Sequence, residues 1–180
     1  MNSSGPSSRS LPVDPVQVDT GLTIRVSRGS GTGRTRLSAF DAALRDAGVA
    51  NFNLVRLSSV IPANSQVIPV SGSDQLVGDH GDRLYCVYAD SYTSTPGEEA
   101  WAGVAWSHHR DGTKAGLFVE HHGLSSADVT MELTYSLEDL SRGRDDEFTP
   151  SGSMLASATC IDYPVCAVVI ATYSTAGWQD

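Results

Sequence analysis

Cysteines are few in this chain, positive charges are fewer than negative ones, and no long apolar run is present. Three cysteines, Cys86, Cys160 and Cys166, form no CxxC pair and leave an odd thiol. That excludes the disulfide framework of a small secreted domain and points to a reducing compartment. No stretch approaches the ~20 apolar residues of a membrane span. The opening MNSSGPSSRSLPVDP also lacks the apolar core of a signal peptide. The expectation is a cytoplasmic protein without a membrane partner. Twelve basic residues against 21 acidic ones give a formal net charge of −9, which argues against nucleic acid as a partner and favours the approach of a cationic ligand. With 180 residues, 40% of them hydrophobic, the chain suffices for one domain with its own core. Residues 1–19, rich in Ser and Pro, read as a flexible arm, and residues 20–180 as the folded domain.

Within that domain, GLTIRVSRG alternates apolar and polar positions as a half-buried strand does. In the helix expected over 36–47, Leu37, Phe40, Leu44 and Ala47 recur at helical spacing, with Gly48 as the stop. VANFNLVRL reads as a strand, and SSVIPANSQVIPV as irregular chain interrupted by two prolines. RLYCVYADSYTS, GEEAWAGVAWSHH and AGLFVEHH read as three strands, with turns at Thr95–Pro96–Gly97 and a hairpin turn at Asp111–Gly112. A second helix begins at Ser125 or Ser126 and buries Val129, Leu133, Leu137 and Leu140, and SMLASATCI and VCAVVIATY are the last strands. The fold class is therefore α+β, a mostly antiparallel sheet structure with helices packed on its faces.

Several residue groups invite chemistry. Gly29–Ser30–Gly31–Thr32–Gly33 lacks the lysine and spacing of a phosphate loop and reads as a tight connection needing permissive backbone angles. His108–His109 and His121–His122 can each offer only one imidazole per strand face, and without cysteine ligands or an HExxH spacing they read as solvated hairpin ends, so no metal is expected. Glu120 shares a strand face with Phe118 at the end of an apolar run, where a carboxyl can hold its proton. Asp41 lies beside the apolar stripe of its helix, or else pairs with Arg45 four residues on. Ser58–Ser59, between an apolar run and a proline, is either a polar loop start or a pair in which one hydroxyl attacks the neighbouring carbonyl.

In that second case the amide becomes an ester, β-elimination breaks the chain, and loss of ammonia leaves a pyruvoyl group at the new terminus. GSGTGRTRLSAFDAALRDAGVANFNLVRLSSVIPAN, EEAWAGVAWS and AGLFVEHHG, in that order, closely resemble segments of the pyruvoyl-dependent arginine decarboxylases. The resemblance covers most of residues 21–175. It implies cleavage between Ser58 and Ser59 into a β chain of 1–58 and an α chain of 59–180, the latter carrying a covalent pyruvoyl cofactor made from Ser59. It further implies conversion of L-arginine to agmatine and carbon dioxide through a Schiff base. Asn53 takes the assisting role in self-processing, and Glu120 that of the acid protonating the substrate α-carbon. Asp41 becomes the carboxylate for the substrate guanidinium, while Leu37, Leu44, Phe52, Ser58 and Val60 line the pocket. Phe52 stands where a smaller aliphatic residue is expected. The implied fold is a four-layer αββα sandwich, assembled as a homo-trimer or hexamer with active sites between subunits. Two rival readings keep the same residues: a hydrolase with an amino-terminal serine at 59, and an unprocessed binding or regulatory module.

Overall fold

Apolar, β-branched and aromatic residues at alternate positions drive most of the chain into strands. The computed structural model describes residues 21–72, 76–144 and 147–179, so the arm expected over 1–19 lies outside the described residues. The elements are β1 (Thr23–Thr32), α1 (Arg36–Asp46), β2 (Asn53–Arg56), β3 (Val60–Ile61), β4 (Gln66–Pro69), β5 (Arg83–Thr93), β6 (Glu99–His109), β7 (Gly116–Gly123), α2 (Ser126–Arg142), β8 (Phe148–Thr159) and β9 (Val165–Ala176). They form a five-stranded sheet in the order β2-β5-β9-β1-β4 and a four-stranded sheet in the order β3-β7-β6-β8. Among the described residues only β1–β4 and β2–β5 pair parallel; the other ladders are antiparallel. The α+β class with mostly antiparallel sheets is the one expected.

Three apolar clusters hold these elements together. The largest joins inner faces of both sheets: Ile24 and Val26 of β1, Val87 of β5, Ala167, Val169 and Ala171 of β9, Val104 and Trp106 of β6, and Phe118 of β7. A second joins Ala39, Ala43 and Ala47 to Cys86, Cys166, Val168 and Ile170 on the other face of the first sheet. A third joins Val129, Leu133 and Leu137 of α2 to Ala105 and Val119. β9 is thus apolar on both faces because both are covered, which explains the unbroken run VCAVVIA.

Four expectations need correction. The glycine stretch is the end of β1 and not a loop: positive φ is found at Gly48, Gly81, Gly97 and Gly112, and not at Gly29, Gly31 or Gly33. These glycines instead let α1 lie against the strand, since a Cβ on Gly29 would stand 2.2 Å from the Ala43 carbonyl oxygen and one on Gly31 2.4 Å from the Ala43 nitrogen. For the same reason the buried stripe of α1 is alanine, Ala39–Ala43–Ala47, while Leu37 is 76% exposed. In α2, Leu140 lies at the margin of the buried face and is partly exposed. Finally, the segment read as irregular holds two short strands, β3 and β4, one on each sheet; Pro69 ends β4 at a sheet edge, where a missing N–H costs least.

Gly31→Val should destabilise the protein by about 1–3 kcal/mol, the cost of overpacking a closed contact. Gly143→Ala, at a helical φ of −67 with its nearest neighbour at 3.4 Å, should change it little. Urea unfolding of both variants checks the pair.

Candidate active site

The serine pair lies where the chain leaves the first sheet for the second. Leu57 N–H donates to the Cys86 carbonyl at 2.8 Å on β5, and two residues later the Ser59 carbonyl accepts from Phe118 N–H at 2.8 Å on β7. Val60 and Ile61 then pair with Leu117 and Gly116. Making that crossing in so few residues puts Ser59 at φ 67, in the left-handed region that costs a non-glycine residue about 1–2 kcal/mol. Among the described residues, the other non-glycine ones with positive φ are Asn51, Asn64 and Lys114, two of them the asparagines that tolerate it best.

Ser59 is half-buried and Ser58 exposed. The Ser59 hydroxyl donates to Glu120 Oε1 in a hydrogen bond across 61 positions of sequence. Glu120 is brought there by strand alternation: it shares the inner face of β7 with Phe118, whose ring is buried between the sheets against Trp106 and Tyr173. Ser58, Ser59, Val60 and Glu120 therefore form one cluster with a strained backbone, a hydroxyl and a carboxylate in contact.

The remaining expected residues form a second group. Leu37, Asp41 and Leu44 project from α1, and Asp41 pairs with Arg45 at 2.8 Å, both side chains more than half exposed. The helical ion pair, one of the two readings open for Asp41, is thus formed. Phe52 and Leu44 pack against the cluster beneath α1, and Phe52 lines a cavity of about 410 Å³ with Arg45, Asn51, Leu76 and His80. The Asn53 side chain donates to the Gly81 carbonyl. Among the described residues no hydrogen bond joins this group to Ser59 or Glu120. A larger polar cleft of about 1080 Å³, lined by Arg28, Asp46, Trp101 and Ser157, contains neither group.

The other candidates have structural partners. His109 is bracketed by Asp111 at 3.0 Å and Glu147 at 2.6 Å, and those contacts, led by Glu147, raise its pKa. His121 sits between Glu132 at 2.9 Å and Ser136 at 2.7 Å of α2. Burial pushes the Cys86 and Cys166 thiols up to about 12, leaving them poor nucleophiles. Trp106, which no sequence argument explained, is core. Sequence reasoning also missed the Phe118 N–H, which acts through the main chain and carries no side-chain signal.

A family model for pyruvoyl-dependent arginine decarboxylases matches residues 23–175. The chain belongs to that family. Among curated pyruvoyl-dependent arginine decarboxylases, that of Halobacterium salinarum is 50% identical over 97 residues, 54% of this chain and 58% of the relative. That of Methanocaldococcus jannaschii is 32% identical over 104 residues, 58% of this chain and 60% of the relative. The Thermoplasma volcanium protein is 26% identical over 165 residues, 81% of this chain and 90% of the relative. The stronger of these matches thus span under two thirds of the relatives' length. Both residue groups of this pyruvoyl-dependent arginine decarboxylase family member lie inside the region matched by the family model.

Glu120→Gln keeps an acceptor for the Ser59 hydroxyl but removes a group able to exchange a proton. If Glu120 has the acid role that the family resemblance implies, decarboxylase activity should fall by roughly 10²–10⁴-fold, the usual contribution of a positioned acid or base. The self-cleavage that the same resemblance implies, needed only once per molecule, should slow yet still go to completion. Activity assays beside electrophoresis of the same sample separate the two, and unchanged turnover would remove the acid role.

Proposed function

We propose that this chain is a self-processing decarboxylase that cleaves itself between Ser58 and Ser59 and converts L-arginine to agmatine and carbon dioxide. The observation that carries the reading is the left-handed Ser59 with its hydroxyl hydrogen-bonded to Glu120. Strain at a residue whose side chain is already held by a carboxylate supports reaction at that peptide.

In the cleavage, Ser59 Oγ adds to the Ser58 carbonyl carbon, and the bond from that carbon to the Ser59 nitrogen breaks. The hydroxyl proton passes by way of Glu120 to the departing nitrogen, leaving an ester. Loss of the residue-59 α-proton then breaks the Cβ–O bond and frees residues 1–58 as a carboxylate. The resulting enamine tautomerises to an imine; one water enters, ammonia leaves, and position 59 becomes pyruvoyl. Residues at hand fit that group, since Phe118 N–H holds the residue-59 carbonyl and the Glu120 carboxyl borders the position of Cβ.

The pyruvoyl carbonyl supplies an amine-condensing electron sink, the role pyridoxal phosphate has elsewhere. The chain's own residues do the rest. Glu120 holds the proton delivered to the substrate α-carbon. Asp41 receives the guanidinium bidentately. Its present partner Arg45 is no obstacle, because an exposed i,i+4 pair is worth only about 0.3–0.5 kcal/mol and exchanges readily. Leu37, Leu44, Phe52 and Val60 exclude water from the aliphatic part of the substrate. The net charge of −9 favours the approach of a cationic amino acid.

The two residue groups are complementary halves of one site formed between neighbouring subunits of a trimer or a pair of trimers. In support, Leu37 and Val60 are exposed apolar side chains, at 76% and 54%, one in each half. Asn53 belongs with the half contributed by the neighbour, where it assists processing. The layering helix, sheet, sheet, helix belongs to the same reading and is supported by the three apolar clusters. The reading also takes residues 1–19 as an arm outside the domain and the cytoplasm as the compartment.

Intact mass of the denatured protein tests the chemistry. The expected result is two fragments, 1–58 and 59–180, the larger lighter by one ammonia than a serine terminus requires. A persistent single chain would overturn it. For the substrate, Asp41→Ala should raise KM for arginine at least tenfold and change the weak reaction of a neutral amino acid little. Equal losses for both would make Asp41 structural.

A further inference from the structure

We propose that Tyr173 is a positioning residue for position 59, tethering β3 from the opposite sheet. This rests on the reading that Ser59 is the processed residue. Tyr173 lies on β9, at the centre of the first sheet, on the face turned toward the second; only 8% of its surface is exposed. Its hydroxyl crosses the space between the sheets and donates to the Val60 carbonyl at 3.0 Å. Its ring meets that of Phe118 edge-on, with centroids 6.2 Å apart.

The geometry gives this hydrogen bond a specific task. β3 is two residues long and lies at the edge of the second sheet. Carbonyls of successive residues in a strand point to opposite sides. With the Ser59 carbonyl bound by Phe118 N–H on β7, the Val60 carbonyl faces away from the ladder, where its sheet has no further strand among the described residues. The Tyr173 hydroxyl satisfies it. A phenol in an alanine- and valine-rich core is costly unless its hydroxyl is bonded, so the contact fixes tyrosine and strand together. Burial, with a smaller contribution from Glu120, raises the phenol pKa, so the hydroxyl stays a donor.

The tether acts one residue beyond Ser59, on the side of the scissile bond that remains attached. Both partners belong to residues 59–180. Once the chain is cut, the upstream anchor at Leu57 no longer constrains position 59, and the short β3–β7 ladder and the Tyr173 bond hold it. Without the hydroxyl, residue 59 samples conformations in which its side chain is off Glu120, and both cleavage and turnover slow.

The test is the rate at which freshly purified chain converts to the fragments 1–58 and 59–180, followed by intact mass for three proteins. In Tyr173→Phe the rate should fall roughly 3- to 10-fold, the factor equivalent to one neutral hydrogen bond, with the ring packing kept. Val169→Ala, which opens the same inter-sheet core without touching that bond, should lower the unfolding midpoint yet cleave at the wild-type rate. The proposal is overturned if Tyr173→Phe cleaves as fast as wild type, or if Val169→Ala slows equally, since general loss of stability would then account for the effect. A wild-type chain that does not cleave sinks the processing reading itself, and the tether with it. In fully cleaved Tyr173→Phe, kcat should fall and KM for arginine stay unchanged; the opposite split would also count against positioning.

Discussion

Two residue pairs, Val60 with Leu117 and Ile61 with Gly116, carry the constraint on which the candidate site depends. They fasten the chain to β7 immediately after it has left β5, and the short span between these anchors drives Ser59 into the left-handed region. The same register puts its hydroxyl against Glu120. A strand this short cannot hold itself in place, because each pairing must offset the conformational entropy of the residues it orders. It is held from outside by β7 and by the Tyr173 hydroxyl. Strain at Ser59 is therefore maintained by the packed sheets and not by any local preference for the conformation.

That support in turn needs the sheets to lie close. Small side chains allow it: Ala100 and Ala102 on β6, and Ala167 and Ala171 on β9, are buried between them, and the large rings of Trp106, Phe118 and Tyr173 are gathered at one end. On the far face of the first sheet, glycines of β1 and alanines of α1 bring helix and strand into backbone contact. Leu37 and Asp41 are left pointing outward by that choice of buried stripe. An exposed leucine beside an exposed aspartate is poor use of a helix face in an isolated chain. The proposed site between subunits would give both side chains a use.

Much of this was legible in the residues. Both helices and the long strands β5, β6, β7 and β9 fall where periodicity and turn residues put them, because long amphipathic segments repeat their signal many times, whereas β8 begins at Phe148, five residues before the expected SMLASATCI. Short elements do not: β3 and β4 have too few residues to show a period, and their prolines suggested irregular chain. Of the expected α1 stripe, Ala47 is buried and Phe40 and Leu44 pack at its margin, but Leu37 is exposed and Ala39 and Ala43 take the closest positions, because the deciding quantity is the distance to β1, which only small residues tolerate. Glycine likewise suggests backbone freedom in a sequence, whereas its use at Gly29 and Gly31 is the absence of a Cβ.

The sequence by itself determined the class of fold, the family and the residue types from which the chemistry is drawn, because these reside in local patterns and ordered motifs. Tertiary structure alone decided that Ser59 and Glu120, 61 positions apart, share a hydrogen bond, that Ser59 is left-handed, and that Asp41 and Asn53 are engaged elsewhere. It also assigned Tyr173 its acceptor. The physical reason is common to all of them: strand register and sheet-to-sheet packing are set by contacts between distant segments, and no local pattern encodes which carbonyl a buried hydroxyl will meet.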